Sequence, residues 1–433
     1  MTGSRKGVED SMTTRRSLLK GLAAAAAAPA SLLGCTSSVP RAKAHVVVVG
    51  GGFGGATTAK YLRMWSQGEV EVTLIERNTH FVSCPISNLV LGGYRELADI
   101  SVGYDNLSTK WGVRVIVDEA TSIDTVKRTV GTARHGVLSY DRLVLSPGVD
   151  FIPNAVPGLE GNHEQIPHAW KAGPQTVLLR RQLEAMADGG VFAIHIPKAP
   201  YRCPPGPYER ACVVASYLRQ AKPRSKLLVL DANPEIQSKK ALFTKAFEGY
   251  KGLVEYVPNS ELRSVDAASH TLELEFERVR AEVLNVIPPM RAGNIATRTG
   301  LPLVNGRWVE VDWLTMEAKG VAGVHVLGDA LLAAPAMPKS GHMANQHGKV
   351  AAAAILDLLA GKAPNPAPVV MNTCYSFVDG QNVIHVASVH QFDAAKRQPM
   401  PVDGAGGLSV AANEREGRYA LDWASNIWAD MLA

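Results

Sequence analysis

The stretch that most constrains this chain is residues 45–62, HVVVVGGGFGGATTAKYL. Its four consecutive valines predict a parallel strand that is buried on both faces. Gly50, Gly52 and Gly55 follow in the spacing G-x-G-x-x-G, which allows a tight turn, close approach of the backbone to a pyrophosphate, and close packing of a helix. A helix predicted over residues 56–62 would point its free N–H groups and positive dipole end at that pyrophosphate.

The second half of a dinucleotide-binding motif follows at the expected distance. Residues 70–75, VEVTLI, predict the next strand. Glu76 comes directly after it, 21 residues beyond Gly55, where a carboxylate accepts hydrogen bonds from ribose hydroxyls. The sequence therefore predicts a site for FAD or NAD. The predicted cofactor-binding residues of this half are Gly50, Gly52, Phe53, Gly54, Gly55, Glu76 and Arg77.

Length and charge narrow the class of protein. A chain of 433 residues is long enough for two or three domains with a sizeable core. The formal net charge of +5 comes mainly from the first 41 residues, which hold six basic and two acidic side chains. The remainder is close to neutral, so we expect no nucleic-acid partner.

The basic N-terminal segment, residues 1–41, predicts a targeting signal rather than folded structure. Residues 14–20, TRRSLLK, resemble a twin-arginine signal, and an alanine-rich apolar stretch over 22–33 follows. That stretch is too short to span a bilayer, so we expect no integral membrane segment in the mature chain. We predict export to the periplasm by the twin-arginine route, with cleavage near residues 28–30 or, alternatively, lipidation of Cys35.

A second βαβ unit follows, and it lacks a glycine motif. A strand predicted over 191–196 leads through residues 197–210, PKAPYRCPPGPYER, into a helix over 211–221. Prolines have no N–H to donate, and side chains at the glycine positions would keep a pyrophosphate away. We therefore expect no NAD site in this unit and interpret Asp231, at the end of the strand over 226–231, as structural.

Later segments return the chain to the first site. Residues 140–148 predict a strand that ends in Ser-Pro-Gly, and residues 324–330, VHVLGDA, end in a Gly-Asp pattern whose aspartate binds the ribityl chain of FAD. The N-terminus of a helix over 342–359 suits the N1/O2 edge of a flavin. These features favour FAD over NAD. The predicted cofactor-binding residues here are Gly148, Gly328, Asp329, Lys339, Ser340 and Gly341.

The C-terminal stretch predicts a smaller unit of strands and one helix. β-like segments at 373–377 and 382–389 precede an amphipathic helix over 418–432. Its apolar stripe could contact a membrane or a partner. Because Asp422 and Asp430 disfavour an anionic bilayer, docking of the stripe on its own domain is the favoured interpretation.

Cysteines supply the candidate chemistry. In an oxidising periplasm any suitably placed pair could form a disulfide, and sequence alone leaves several pairings open. Cys203 lies in a proline-glycine loop at the carboxyl end of a strand, where ligands meet open α/β sheets, and Cys374 comes from the C-terminal unit. A disulfide between them would be either redox-active, receiving a sulfur nucleophile, or purely structural. The cysteines beyond the signal are Cys84, Cys203, Cys212 and Cys374.

Four short motifs carry a resemblance to a known family: YRCPPGPYERA at 201–211, PHAWKAG at 167–173, MPKSG at 337–341 and NTCYS at 372–376. With them the chain resembles, from about residue 44 onward, the flavoprotein subunit of flavocytochrome c sulfide dehydrogenase. That family belongs to the two-dinucleotide disulfide flavoproteins, which include the sulfide:quinone oxidoreductases.

The resemblance implies an α/β fold with two doubly wound Rossmann-like domains, as in glutathione reductase, and a C-terminal α+β domain. The expected boundaries are 1–41 for the signal and tail, 42–171 with 292–363 for a discontinuous FAD-binding domain, 172–291 for the second Rossmann-like domain, and 364–433 for a domain that covers the flavin and contacts the partner.

The resemblance also implies the chemistry of the site. Cys203 and Cys374 would form a redox disulfide, Glu209 would act as acid or base, and Cys84 would hold FAD covalently through its 8α-methyl group. Pro85 departs from the aromatic residue expected in relatives at that position. Hydrosulfide would attack the disulfide, and FAD would take two electrons and pass them singly to a c-type cytochrome subunit in a heterodimer.

Two alternative functions stay open. A sulfide:quinone oxidoreductase would need an apolar quinone funnel and a membrane-binding C-terminus. An accessory flavoprotein would instead maintain thiols of a sulfur-oxidising system through Cys203 and Cys374.

The sequence holds no Cys-x-x-Cys-His haem motif, so the haem is expected on a partner, and no metal site is expected. Cys212 matches no role in the family and is interpreted as a small buried residue.

Overall fold

A computed structural model describes residues 43–433, and the predicted signal segment, with its twin arginines and Cys35, lies outside them. The first part of the described chain runs to residue 151. Its elements are β1 His45–Val49, α1 Phe53–Trp65, β2 Glu71–Glu76, β3 His80–Val82, α2 Ser87–Leu91, β4 Ser101–Gly103, α3 Asp105–Thr109, β5 Arg114–Val117, β6 Ala120–Asp124, β7 Thr129–Thr132, β8 Val137–Ser139, β9 Arg142–Leu145 and β10 Val149–Phe151.

The second part carries a parallel sheet of its own. Its elements are α4 Pro174–Ala185, β11 Val191–Ile196, α5 Gly206–Ala221, β12 Lys226–Asp231, α6 Lys240–Glu248, β13 Val254–Val257, β14 Leu262–Asp266, β15 Thr271–Leu274, β16 Arg278–Arg280 and β17 Val283–Val286. Strands β13, β12, β11 and β17 lie side by side in that order and all run parallel. An antiparallel meander, β14 to β16, connects β13 to β17 along the chain.

The third part brings the chain back to the first sheet. Its elements are β18 Met290–Ala292, α7 Asn294–Arg298, β19 Leu303–Val304, β20 Trp308–Val309, β21 Val324–Val326 and α8 Gly341–Leu359. Strand β21 joins β9, which completes a five-stranded parallel sheet in the order β21, β9, β1, β2, β5. Val46, Val47 and Val48 at its centre are fully buried, as predicted for a strand covered on both faces.

The C-terminal part is antiparallel and ends in a helix. Its elements are β22 Val369–Phe377, β23 Val383–Asp393, β24 Gln398–Pro401, β25 Gly407–Leu408 and α9 Glu414–Leu432. Ala420, Ala424, Ile427 and Met431 of α9 are buried, so the apolar stripe docks on the protein's own core. With two parallel sheets and this antiparallel unit, the predicted α/β class is confirmed.

Three helices begin three or more residues earlier than the sequence predicted, and one of them is α9, which starts at Glu414 rather than at residue 418. Helix α1 starts at Phe53, inside the glycine motif rather than after it, and α5 starts at Gly206 rather than at residue 211. Proline is tolerated in the first turn of a helix because the N–H that it lacks has no partner there. Pro205 and Pro207 therefore start α5 instead of delaying it, and Glu209 lies in its first turn.

Helix α9 is held at its C-terminal end by Asp430. One carboxylate oxygen accepts a hydrogen bond from Tyr61 Oη at 2.6 Å, and the other accepts from Asn345 Nδ2 at 2.7 Å and lies 3.0 Å from Lys349 Nζ. These donors belong to α1 and α8. A single carboxylate thus ties the C-terminal helix to both helices.

We expect Asp430→Ala to lower the free energy of unfolding by about 2–3 kcal/mol, because it leaves three partly buried donors without an acceptor. Urea unfolding followed by circular dichroism measures the change. Asp422→Ala, at an exposed position of the same helix, is the matched control and should stay within about 0.5 kcal/mol of the parent protein. Equal losses in the two variants would contradict the tethering role of Asp430.

Candidate functional site

The glycine loop after β1 combines two crowded positions with one open position. Gly50 has φ +99°, and a Cβ there would lie 2.3 Å from the Ser146 carbonyl oxygen. A Cβ on Gly55 would lie 1.8 Å from the Gly50 carbonyl oxygen. A Cβ on Gly52, by contrast, would meet no atom of the described residues within 4 Å. Two glycines therefore let chain segments meet, and the third leaves free space at the start of α1.

The N-terminus of α1 is suited to an anion. Gly52 is its N-cap, and within the described chain no side chain caps this end and no acidic residue lies in the first turn. Free N–H groups and the positive end of the helix dipole favour a phosphate at such a position. Phe53 packs edge-on against Phe81 with ring centroids 5.1 Å apart, and a Cβ on Gly54 would clash with Leu327 of the segment after β21.

Glu76 ends β2 beside this loop, at the predicted position. One oxygen of its carboxylate accepts a hydrogen bond from the Gly51 N–H at 2.7 Å, and the other accepts from the backbone and side chain of Asn78 at 2.9 and 2.8 Å. Glu76 therefore also orders the glycine loop, while a carboxylate retains lone pairs for ribose hydroxyls. Arg77, the next predicted residue, is exposed.

The segment after β21 places a carboxylate next to the glycine loop. Asp329 Oδ1 is buried and has no hydrogen-bond partner in the described part of the chain. Burial raises the pKa of Asp329, and the positive charges of Arg202 and Lys339 oppose that change. Lys339 donates from Nζ to the carbonyl oxygens of Asp329, at 3.0 Å, and Leu331, and burial lowers the pKa of Lys339 to about 7. Lys339 thus supports the backbone that presents Asp329.

Helix α8 begins directly against the glycine motif. Ser340 is its N-cap and accepts a hydrogen bond from the Met343 N–H at 3.1 Å. A Cβ on Gly341 would lie 2.7 Å from the ring of Phe53. The predicted cofactor residues of the two halves therefore lie together, although almost 300 positions separate them in the chain.

These features fit FAD. An unpartnered carboxylate oxygen at Asp329 can accept from a ribityl hydroxyl, and the open space at Gly52 before an uncapped helix can accept a pyrophosphate. Gly148 has φ +63°, and a Cβ there would meet no atom of the described residues within 4 Å, so its surroundings are open as well.

Three thiols are partly exposed and a fourth is buried. Among residues 43–433, Cys84, Cys203, Cys212 and Cys374 are all free, so a disulfide between Cys203 and Cys374 stays a prediction. Cys212 is fully buried on α5, as interpreted from the sequence. The Cys203 N–H donates to the Lys339 carbonyl oxygen at 2.8 Å, which joins the cysteine loop to the segment that carries Asp329.

A short chain of hydrogen bonds connects Cys374 to the N-terminus of α8. Ser340 Oγ donates to Asn372 Oδ1 at 2.6 Å, and Asn372 Nδ2 lies 3.3 Å from the sulfur of Cys374. The Thr373 N–H donates to His342 Nδ1 at 3.0 Å. Strand β22 is thereby fixed against α8, and Cys374 lies beside the predicted flavin site.

Glu209 lies where three segments meet. Its Oε1 accepts from the Phe377 N–H, and its Oε2 accepts from Asn88 Nδ2, each at 3.1 Å. Burial raises the pKa of Glu209, which favours the protonated carboxyl. The pKa of Cys203 is raised first by burial and then by the neighbouring Cys374 and Glu209. The structure thus brings the three predicted catalytic residues into one cluster.

Two cations in this cluster were not assigned a role from the sequence. Lys239 is buried, and its Nζ donates to Ser376 Oγ at 2.7 Å and to the Cys374 carbonyl oxygen at 3.0 Å. Arg202 donates to the Trp170 carbonyl oxygen; burial works to lower the pKa of Arg202, and the neighbouring Cys84 raises it. Arg202 falls within the cysteine motif, which could have indicated it, whereas no local pattern distinguishes Lys239 from Lys240.

Two further properties of the described residues are relevant to function. Between residues 43 and 433, no helix combines the length and apolar character needed to cross a membrane. In the same range, no three His, Cys, Asp or Glu side chains lie close enough together to hold a metal ion.

Family profiles cover most of the described chain. A profile described as sulfide dehydrogenase (flavocytochrome c) flavoprotein chain, central, matches residues 176–288. A second, flavocytochrome c sulphide dehydrogenase, flavin-binding, matches residues 366–432. A third, pyridine nucleotide-disulphide oxidoreductase, matches residues 44–181.

Comparisons with individual proteins agree with these family profiles. The flavoprotein chain of sulfide dehydrogenase (flavocytochrome c) from Chlorobaculum thiosulfatiphilum is 64% identical over 46 residues, which cover 11% of this chain and 94% of that sequence. Sulfide-quinone reductase from Aquifex aeolicus is 38% identical over 120 residues, 28% of this chain and 27% of that protein. The solved structure of sulfide:quinone oxidoreductase from the same organism superposes with a TM-score of 0.73 at 20% identity, covering 90% of this chain and 91% of the other, and so shares the fold. The chain belongs to the family of the flavoprotein chains of flavocytochrome c sulfide dehydrogenase.

Proposed function

We propose that this protein uses FAD to oxidise hydrogen sulfide to polysulfide or elemental sulfur and passes the electrons to a c-type cytochrome subunit. One observation carries the proposal: Cys203, Cys374 and Glu209 form one cluster, and hydrogen bonds connect both cysteines to the segment around Asp329 and Ser340. A sulfur nucleophile that enters this cluster meets two thiols and a carboxyl beside the flavin site.

In the proposed reaction, the oxidised protein holds Cys203 and Cys374 as a disulfide. Hydrosulfide attacks one of the two sulfurs, a new S–S bond forms to it, and the Cys203–Cys374 bond breaks. The electron pair of the broken bond stays on the other sulfur as a thiolate, and the attacked cysteine becomes a persulfide. FAD supplies a two-electron acceptor that can release electrons singly.

Glu209 accepts and donates the proton in this proposed reaction. Because burial raises its pKa, a protonated carboxyl is present closer to neutral pH than for an exposed glutamate. Asn88 and the Phe377 N–H hold the two oxygens in place. In its carboxylate form Glu209 can take a proton from incoming hydrogen sulfide, and in its protonated form it can give one to a leaving sulfur species.

We further propose that Cys84 holds FAD covalently. Cys84 is partly exposed in the turn after β3, and its carbonyl oxygen accepts from the hydroxyl and the N–H of Ser87, which fixes that turn. Arg202 faces both Cys84 and Cys203, so Cys84 lies on the same side of the site as the redox pair. A thioether from Cys84 would therefore hold the flavin beside the Cys203–Cys374 pair.

The second parallel sheet, in this proposal, binds no NAD. Asp231 has no exposed surface, and its carboxylate accepts from Tyr208 Oη at 2.7 Å, Tyr256 Oη at 3.0 Å and both nitrogens of Asn233. A ribose would have to displace two tyrosines to reach it. The proline-rich loop after β11 also offers few N–H groups to a pyrophosphate.

A cytochrome is favoured over a quinone as the electron acceptor. Helix α9 buries its apolar stripe against α1 and the core, so the stripe is not available to a bilayer. We propose a heterodimer with a c-type cytochrome that contacts residues 364–433, and export to the periplasm through the twin-arginine segment at 14–20. The domain boundaries given above belong to the same proposal.

The test is anaerobic addition of sulfide to the purified protein, then of oxidised cytochrome c or a soluble quinone, followed by acid precipitation. We expect sulfide to bleach the flavin, cytochrome c to restore its colour faster than the quinone does, and the precipitate to keep the colour. If sulfide leaves the flavin oxidised, the accessory thiol-maintaining role replaces this proposal. Faster reoxidation by quinone favours a sulfide:quinone oxidoreductase, and colour in the supernatant refutes only the link to Cys84.

A further inference from the structure

Lys239 is a buried cation beside the redox cysteines. It precedes α6, has φ +53°, and is 7% exposed. Its Nζ reaches two strands of the C-terminal sheet, with Ser376 Oγ at 2.7 Å, the Cys374 carbonyl oxygen at 3.0 Å and the Ile384 carbonyl oxygen at 3.4 Å. The side chain therefore extends from the second parallel sheet into the cysteine cluster.

All three acceptors of this ammonium group are neutral oxygens. An ammonium group has three N–H donors, so its hydrogen-bonding capacity is filled without a carboxylate bonded to it in residues 43–433. Burying a charge without a bonded counter-ion is costly. A negative charge that forms close by would offset that cost.

The groups that face Lys239 come from three elements and from the loop before α5. In order of their effect on Lys239, they are Cys374 on β22, Glu209 on α5, Cys203 before α5 and Glu416 on α9. Glu416 is already hydrogen-bonded to Ser409 and His385, and Glu209 is bonded to Asn88 and the Phe377 N–H. Of the two thiols, Cys203 also has Arg202 nearby, whereas Lys239 is the main cation that faces Cys374.

The titration of the pair agrees with this arrangement. Burial lowers the pKa of Lys239 to about 8, and Cys374 and Glu209 oppose that change. Burial raises the pKa of Cys374, and Lys239 is the largest influence in the other direction. At neutral pH the ammonium group is therefore present and favours a thiolate on Cys374. This electrostatic stabilisation is lost as Lys239 gives up its proton, when the pH rises through about 8.

We propose that Lys239 is a positioning residue of the redox pair, whose ammonium group stabilises the thiolate on Cys374 each time the Cys203–Cys374 disulfide is opened. This inference rests on the proposed function, because it assumes that the pair cycles. The competing view is that Lys239 only pins the start of α6 to strands β22 and β23.

The test measures how fast iodoacetamide modifies Cys374 at different pH values in the flavin-loaded protein, after reduction by dithiothreitol. Mass spectrometry of the Cys374 peptide gives the rate, and neither sulfide nor cytochrome is needed. We expect Lys239→Met to slow alkylation of Cys374 about tenfold at pH 7, where the ammonium group is present in the parent, and to slow it progressively less as the pH rises above about 8. Lys240→Met, at an exposed position one residue further on, should keep the parent profile.

Lys239→Arg keeps the positive charge but changes the geometry of the hydrogen bonds. It also keeps the test valid if the methionine variant does not fold. Arginine stays protonated across this range. We therefore expect the arginine variant to match the parent rate at pH 7 and to exceed it above about pH 8, where the parent ammonium group has lost its proton. A rate at pH 7 that is unchanged in Lys239→Met, or a Lys239→Arg rate no higher than that of the parent above pH 8, would overturn the proposal. A failure of sulfide to reduce the flavin would leave this result standing and would count only against the proposed function.

Discussion

Replacing Cys203 by serine is expected to leave the flavin in place and to slow its reduction by sulfide at least about 10³-fold. A serine oxygen cannot form the S–S bond that hydrosulfide attacks, so the electrons of sulfide cannot reach the flavin by this reaction. Cys374→Ser should have the same effect for the same reason. Stopped-flow absorbance of the flavin under anaerobic conditions measures the rate.

The chain offers a matched control in its buried thiol. Cys212 lies on α5, nine residues after Cys203, and is fully buried. Cys212→Ala removes a sulfur atom from the same helix at a cost of about 1 kcal/mol in stability, and the rate of flavin reduction should not change. If Cys203→Ser is reduced as fast as Cys212→Ala, sulfide does not enter through the disulfide. A slow Cys212→Ala variant would show that packing of α5, rather than sulfur chemistry, sets the rate.

Local patterns in the sequence predicted most strands of the first parallel sheet and the two central strands of the second, whereas β13 and β17 were not predicted. The strands over 191–196 and 226–231 have the predicted bounds, because each is an apolar run that ends at a turn. The predicted starts of α1 and α5 were wrong for a shared reason. Glycine and proline were interpreted as loop residues, yet Gly54 and Pro207 both lie in the first turn of a helix, where close packing or a missing N–H makes them suitable.

The site itself could be predicted only where it follows one strand or one motif. Glu76 ends a strand of the first sheet and Asp329 closely follows another, so both lie at the carboxyl edge of that parallel sheet. Lys239 has no such signal: it adjoins Lys240 in a polar stretch, and only the fold decides which of them enters the cysteine cluster. The path from Ser340 through Asn372 to Cys374 likewise depends on α8 packing against β22.

The glycines after β1 predict two separate kinds of failure. Gly55→Ala would put a Cβ 1.8 Å from the Gly50 carbonyl oxygen, so either the helix or the strand must move. We expect it to cost at least about 4 kcal/mol in stability and to yield little folded protein. Gly52 has φ −75° and ψ −167°, a conformation open to alanine, and no described atom lies within 4 Å of the new methyl group. Gly52→Ala should therefore fold with nearly the parent stability.

The same Gly52→Ala protein should nevertheless bind FAD at least about tenfold more weakly, equivalent to about 1.4 kcal/mol, and carry less flavin after expression, because FAD must bind before the proposed link to Cys84 can form. The methyl group enters the space before the uncapped N-terminus of α1, where we place the pyrophosphate. The ratio of flavin to protein absorbance, together with thermal unfolding of both glycine variants, measures the two effects separately. Full flavin content in a stable Gly52→Ala protein would mean that the pyrophosphate binds elsewhere. Loss of flavin without loss of fold would assign the open space at Gly52 to the cofactor, because no contact within the described chain accounts for a glycine there.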